Sequence, residues 1–563
     1  MMNKYLYSAF TAALALVAST SIATTSFAAE FPDTVKVTNG QVKGSYDAAH
    51  KTVKWMGVPY AKAERWQVPQ KAAKSNAVID CVEAAPVNIQ RGPKGVVGKE
   101  NVLTCDVYRP DTKEANLPIM VYLHGGNNQA SNSRLWEGNK FANEANVVYV
   151  SLQYRLGSLG FNALPALKDK GTGNFGFLDQ AKALDWVKAN AKSFGGDPKN
   201  ITVSGFSAGG RDVLAMLISP AFKNKFNKIV SLSGGLTVAD EAKSQKVIAH
   251  QYAPLVLADK KAATHEEAEQ WLLSTNKKDM QEVRQYLNSV SADRLAPIMA
   301  GAVIRMSAFP HLYGDNKVLP AEGFQKKAVS NVPVMLMASA DEFSSFAARD
   351  PFFKNRLQKV NKDEQTTKEF AYANRYGSLM YGYFNGQEAA ADLGKTYTAP
   401  IYVMTFGFGH NAATTNKGFA TRNGALHGVF MPFLSDQPYP FTKNVPAFNQ
   451  QGAKDLSKTF IASLGAFMRT GNPNNPELGT TWKPWTAKHK NEIVFDAIGD
   501  KKIITARENN INYDEILAAL DADNSISKES KDIIVHSVLA GRWFSKPNDA
   551  HFNNTDLWEV HNK

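Results

Sequence analysis

Ile201-Thr202-Val203-Ser204-Gly205-Phe206-Ser207-Ala208-Gly209 is a strand that runs into a sharp turn. Its first half is β-branched and alternating, which suits a buried strand. Gly205 and Gly209 stand two residues before and two after Ser207. A tight strand-to-helix turn needs glycine at those places, because a Cβ atom there would collide with the crossing backbone. Past the turn, Val213-Leu214-Ala215-Met216-Leu217 continues as a helix. Such a turn lifts a serine hydroxyl to the top of a sheet and is called a nucleophile elbow. Glycine is 39 of 563 residues, so G-x-S-x-G arises by chance in about one chain of this length in five or six. The motif therefore needs its surroundings.

Working outward, short apolar runs alternate with helical patterns. Residues 118–123 (PIMVYL), 147–152 (VVYVSL), 199–205, 228–232, 332–337 and 400–406 read as buried strands, and 179–191 as a helix with Ala183, Leu184, Trp186 and Val187 on one face. That alternation predicts an α/β fold with a central, mostly parallel twisted sheet flanked by helices. Residues 238–300 and 345–395 are helical and charged, and are expected to form cap insertions around a pocket mouth. No Pro/Gly/Ser-rich linker divides the chain, so 29–505 reads as one catalytic domain and 506–563 as a helical extension. Within the extension, Asp521, Asp523, Ser525, Ser527 and Asp532 have the spacing of a calcium loop. Ile526 replaces its turn glycine and Asp532 its bidentate glutamate, so a helix-turn-helix with serine caps is the expectation.

A serine hydroxyl is a weak nucleophile at neutral pH. It needs a base, and the base an orienting acid, in the chain order serine, acid, histidine for this topology. Asp341-Glu342 lie just past the strand 332–337, and His427 lies in a loop past the strand 400–406. Either carboxylate of Asp341-Glu342 stands where the acid is expected. Upstream, His124-Gly125-Gly126 follows the strand 118–123. Glycine-rich backbone there can aim N–H groups at a developing oxyanion, with the amide of Ala208 completing the hole.

The composition is that of an ordinary globular protein, 44% hydrophobic and 21% charged. Lys4, the apolar stretch 5–22 and Ser26-Phe27-Ala28 read as a signal peptide cleaved after Ala28, which predicts a periplasmic or secreted protein. No later run is long enough to span a membrane. The net charge of +12 is scattered rather than gathered, so neither nucleic acid nor a membrane is expected as partner. Cys81 and Cys105 are the only cysteines. In an oxidising compartment they are expected to pair, closing a loop worth on the order of 3 kcal/mol.

Several motifs, in order and at matching spacing, resemble the type-B carboxylesterases, the cholinesterase-like branch of the α/β-hydrolases. Gly57-Val58-Pro59-Tyr60-Ala61 is similar to the family's G-I-P-Y-A, and Asn174-Phe175-Gly176-Phe177-Leu178-Asp179-Gln180 to its N-x-G-L-x-D-Q. Phe194-Gly195-Gly196-Asp197-Pro198 is similar to its F-G-G-D-P. Gly471-Asn472-Pro473-Asn474 with Trp482 and Pro484 is similar to its G-N-P-N…W-P. The resemblance runs from about 40 to 485. It implies Ser207 as nucleophile, His427 as base, Glu342 as acid, and the amides of Gly126, Asn127 and Ala208 as oxyanion hole, with Asp341 the runner-up acid and His410 the runner-up base.

The sequence departs from the family in places. Asn127 replaces a third glycine, Phe206 a frequent glutamate before the serine, and Phe343 the glycine after the acid. Cys105 lies three positions past the family's cysteine, where Val102 stands, so any disulfide has shifted ends. The missing glutamate disfavours a choline ester. Phe206, Phe343 and the aromatic-rich stretch 346–353 suggest a pocket for neutral, fairly apolar esters. The implied reaction is ester hydrolysis through an acyl-enzyme, with a small-molecule substrate and no metal or organic cofactor. Amide, carbamate or thioester hydrolysis uses the same triad and is the second reading. A non-catalytic recognition protein on this fold is the third. Oligomeric state is not legible.

Overall fold

A computed structural model describes residues 29–554 except 303, 306 and 307. The expected leader, 1–28, lies outside them.

Eleven strands form the central sheet: β1 (Ser45–Asp47), β2 (Thr52–Pro59), β3 (Thr104–Pro110), β4 (Leu117–Leu123), β5 (Val148–Leu152), β6 (Gly196–Phe206), β7 (Lys228–Leu232), β8 (Val334–Ser339), β9 (Ile401–Phe406), β10 (Asn491–Ile498) and β11 (Lys501–Glu508). Their order across the sheet is β1-β2-β3-β5-β4-β6-β7-β8-β9-β10-β11. From β5 through β10 every neighbouring pair is parallel. β1, β2 and β3 at one edge and β11 at the other are antiparallel to their neighbours. A small separate sheet pairs Thr34–Val37 and Gly40–Lys43 with Val78–Asp80.

β4 shows how the sequence makes these layers. All seven of its residues are buried. Ile119, Val121 and Leu123 point into one apolar cluster and Met120 and Tyr122 into another. A strand covered on both faces must be apolar throughout, as PIMVYL is. The first cluster takes the helices Phe175–Asn190 and Ala208–Ala215, and the second the long helix Gln451–Thr470. Burying one Val, Leu or Ile side chain in either layer contributes about 1.5–3 kcal/mol.

The predicted strands occur with shifted ends. β6 starts three residues before the expected 199–205, and β8 starts at Val334 rather than 332. The predicted helix 179–191 runs Phe175–Asn190. β1 to β3 and the β10–β11 hairpin carry weaker apolar runs, and their spacing does not reveal them.

The stretch 238–300 folds as Glu241–Ala258, His265–Leu273, Lys277–Ser289 and a short turn of helix Ala292–Leu295. Thr264 and Glu267 form a reciprocal capping box at the second of these. The stretch 345–395 holds the helix Glu364–Tyr383, continued by a π-turn Phe384–Glu388 and by Ala389–Gly394. After β11 come Tyr513–Ala522, Lys528–Ile533 and Lys546–His551. The would-be calcium loop is a helix connection: Ser527 Oγ accepts from Ser530 N, and Asp523 from Ser525 N. A third apolar cluster joins Glu364–Tyr383 to this tail through Phe370, Tyr376, Ile516, Leu520, Val538 and Phe544.

Candidate active site

Ser207 sits between the end of β6 and the helix Ala208–Ala215, with φ 56° and ψ −115°. A non-glycine residue there is strained, and strain of this kind is held only where the surroundings over-determine it. The hold is visible. Ser207 N donates to Leu232 O at 2.8 Å, while Arg211 N donates to Ser207 O at 3.0 Å. A Cβ on Gly205 would lie 2.2 Å from Gly209 O, and one on Gly209 2.2 Å from Leu123 O. The two glycines of the motif are thus demanded by close backbone approach.

Glu342 follows β8 and is fully buried. Its Oε2 accepts from His427 Nδ1. Its Oε1 accepts the Ser339 N–H at 2.7 Å and the Ser233 hydroxyl. Three donors thus fix the carboxylate and the Nδ1–H tautomer of His427. The other ring nitrogen, Nε2, is buried and has no hydrogen-bond partner among the described residues. Phe206 packs on the imidazole at 4.6 Å between centroids, with Phe346 at 5.0 Å and Tyr381 stacked at 5.8 Å. The free nitrogen therefore lies in an apolar box beside the residue that precedes Ser207.

The two runner-up residues pair with each other. Asp341 Oδ2 accepts from His410 Nδ1 at 2.9 Å and from Ala425 N at 2.8 Å. This hydrogen bond pushes the His410 pKa up. Asp341 N also donates to Ala425 O at 2.9 Å, so the pair braces the loop that carries His427.

Gly126, Asn127 and Asn128 all have positive φ, 100°, 56° and 55°. Asparagine is among the few residues that tolerate this, so Asn127 holds a left-handed conformation of the kind glycine favours. At Gly126 a Cβ would also fall 1.9 Å from Ala130 O. The loop lies over the elbow: a Cβ on Gly125 would stand 3.0 Å from the Ser207 Cβ.

Sequence reading missed several residues here. Arg211, one helical turn after Ser207, is 1% exposed and donates to Asn127 Oδ1 at 3.1 Å. Its guanidinium lies 3.0 Å from the centroid of Trp543 in the C-terminal tail. The next tail residue, Phe544, stacks on Tyr381 at 4.6 Å. Spacing four from Ser207 marks the helix face of Arg211; nothing in the sequence marks Trp543.

Two expectations need correction. Cys81 and Cys105 are separate buried thiols, not a disulfide. Burial pushes the Cys81 pKa up to about 12 and raises that of Cys105 well above the ordinary thiol value. Both behave as small apolar core groups. Phe343 offers no surface to a pocket: it is 0% exposed and packs on Phe346, Phe544 and Gly377. Its neighbour Glu342 faces the imidazole, and the next side chain turns into the helical core. Phe206 does adjoin the site.

His250, His265 and Glu269 form a group with metal-ligand spacing, their ligand atoms within 4.8 Å of one another. Both Nδ1 atoms already point at the same Glu269 oxygen, at 2.7 and 2.9 Å. Among the described residues no helix is long and apolar enough to cross a membrane.

A parallel sheet with its antiparallel edge, a strained serine on a strand–helix elbow and a buried His–Glu pair delivered by later loops define an α/β-hydrolase. The pattern of the carboxylesterase family matches residues 32–400, and the chain belongs to that family. It is 27% identical to the para-nitrobenzyl esterase of Bacillus subtilis, over 81% of this chain and 94% of that one. It is 31% identical to liver carboxylesterase 1 of Oryctolagus cuniculus, over 79% and 87%. Among solved structures, a thermophilic PNB esterase superposes with a TM-score of 0.63 at 25% identity, covering 84% of this chain and 97% of that chain. The protein is a serine carboxylesterase, a hydrolase of carboxylic esters.

Proposed function

We propose that Ser207, His427 and Glu342 carry the hydrolysis as a triad through an acyl-enzyme. His427 Nε2 takes the serine proton as Oγ attacks the ester carbonyl. Glu342 holds the tautomer and offsets the imidazolium charge. The amides of Gly126, Asn127 and Ala208 receive the oxyanion. The imidazolium then protonates the leaving alcohol, and water enters by the same route with His427 again as base. The observation that carries this reading is the His427 ring itself. One nitrogen is fixed on a buried carboxylate that has two further donors, and the other is buried and open beside the elbow. The test is hydrolysis of p-nitrophenyl acetate, butyrate and octanoate by wild type, Ser207→Ala and His427→Ala. Each variant should lose at least about a thousandfold in kcat; a folded variant that matches wild type refutes the assignment.

The segments 238–300 and 345–395 serve as caps over the substrate. Lys4 and the apolar stretch after it direct export, with cleavage near Ala28; N-terminal sequencing of the mature protein checks this.

A further inference from the structure

Four polar atoms beside the candidate oxyanion loop are buried without a hydrogen-bond partner: Asn127 Nδ2, Arg211 Nε, His311 Nε2 and Trp543 Nε1. They belong to one contiguous group. Arg211 donates to Asn127 Oδ1, its guanidinium lies against the Trp543 ring, and that ring meets His311 edge-on at 5.4 Å. Arg211, His311 and Trp543 are each more than nine-tenths buried. Leaving a buried donor unmade costs about 1–3 kcal/mol, and more for a charged group. A native site that holds three such donors together, Asn127 Nδ2, Arg211 Nε and Trp543 Nε1, is suited to a ligand that accepts from them, with His311 Nε2 a lone-pair acceptor at the edge of the group.

The charge of the group is as telling as its geometry. Arg211 forms no ion pair among the described residues. Asp212, the nearest acid in sequence, is occupied by Asn128 Nδ2 at 2.8 Å and Gln180 Nε2 at 2.6 Å. His311 donates through Nδ1 to Phe309 O at 3.1 Å, and burial with the nearby guanidinium keeps its ring neutral. Asp212 acts on Arg211 only at longer range, so the guanidinium is a buried cation with no salt-bridged anion among the described residues, and the unpartnered N–H groups of Asn127 Nδ2 and Trp543 Nε1 belong to the two side chains that touch it. A guanidinium matches a carboxylate in both shape and charge.

We propose that Arg211, Asn127 Nδ2 and Trp543 Nε1 bind a carboxylate on the acyl arm of the substrate, so that the preferred substrates are monoesters of dicarboxylic acids. The inference rests on Ser207 being the nucleophile. In the tetrahedral intermediate the leaving oxygen must face His427 Nε2 and the oxyanion must face the amides. Arg211 lies on the helix that follows Ser207 and bonds the Asn127 side chain, on the oxyanion-loop side of the serine, and the carboxylate of the proposed substrate is on the arm that stays on the serine. Carboxylates of such monoesters are ionised at neutral pH. The C-terminal tail then has a place in recognition, because it supplies Trp543.

The test uses the full mature chain and a pH-stat. Monoethyl succinate, glutarate and adipate are compared with ethyl butyrate, valerate and hexanoate, which carry a methyl in place of the carboxylate. Wild type should favour at least one acid ester over its neutral partner by about tenfold or more in kcat/KM. That ratio should fall about a hundredfold in Arg211→Met and recover in part in Arg211→Lys. Trp543→Phe keeps an aromatic face against Arg211 while removing Nε1 with the pyrrole part of the indole; it should lower the ratio about tenfold with turnover of the neutral esters changed less, and it reads the site even where Arg211→Met does not fold. A wild type that cleaves the neutral esters with no preference for the acid esters, or a ratio unmoved by both Arg211→Met and Trp543→Phe, overturns the proposal and leaves the esterase reading standing. A folded wild type that cleaves neither series overturns both.

Discussion

Asp341 and Glu342 are neighbours in the chain and hold different histidines: Asp341 accepts from His410, and Glu342 from His427. Only the second pair is enclosed. The His427 side chain is 9% exposed, against 63% for His410. An ion pair that must orient a base gains from exclusion of water, whereas an exposed pair is largely screened.

Glu342→Gln should therefore lower kcat about 1,000- to 10,000-fold, because the amide presents the wrong partner to Nδ1–H. Asp341→Asn should lower it less than about tenfold and act chiefly on loop stability. Ester hydrolysis with a circular-dichroism check on each variant separates the two. Equal losses would dissolve the distinction between the carboxylates.

The His410–Asp341 bond should make stability depend on pH in one direction. The folded-state pKa of His410 is raised. Its contribution is then fully present below the ordinary histidine value of about 6.5 and is lost as pH rises through the folded value. Since His410 is exposed, the effect should stay under about 1 kcal/mol. Urea unfolding of wild type and His410→Gln should differ more at pH 5.5 than at pH 9; the reverse order would contradict the assignment.

Asn127 contributes its main-chain N–H to the proposed hole, from a left-handed conformation. Asn127→Gly keeps both the N–H and the conformation, so turnover of a neutral ester should stay within about tenfold of wild type. Asn127→Val sets a β-branched residue at φ 56° and should cost about a hundredfold or more in kcat. Steady-state kinetics on p-nitrophenyl butyrate decides. If Asn127→Gly fails as badly as Asn127→Val, the hole is placed elsewhere.

The elbow was legible because the turn leaves no room for Cβ atoms at Gly205 and Gly209, and that constraint is written directly as residue type. The topology pointed to the strand ends that carry Asp341-Glu342 and His427, the family resemblance chose Glu342 over Asp341, and the structure pairs Glu342 with His427. Side-chain direction is another matter. Glu342 and Phe343 are adjacent, yet one meets the imidazole and the other the core, which explains the misplaced pocket residue. Cys81 and Cys105 were read as partners from compartment and number alone, and neither fixes how two thiols face each other. Arg211 and Trp543 meet across more than three hundred residues of chain, through packing of the tail onto the helix Glu364–Tyr383. No local pattern encodes that contact.

That packing yields a further prediction. Ile516, Leu520, Val538 and Phe544 share an apolar cluster with Phe370 and Tyr376. Deleting the chain after residue 510 should expose this face, promote aggregation and lower the melting temperature. Light scattering and thermal unfolding of the truncated chain test it; a monodisperse protein of wild-type stability would show the tail to be dispensable.

The account stands most directly on Ser207. The decisive measurement is the kcat of purified mature protein on p-nitrophenyl butyrate beside that of Ser207→Ala, with both proteins shown to be folded. A clear wild-type rate and a loss of about a thousandfold or more in the variant is the predicted result. A variant that hydrolyses the ester as fast as wild type would place the nucleophile elsewhere and contradict the account.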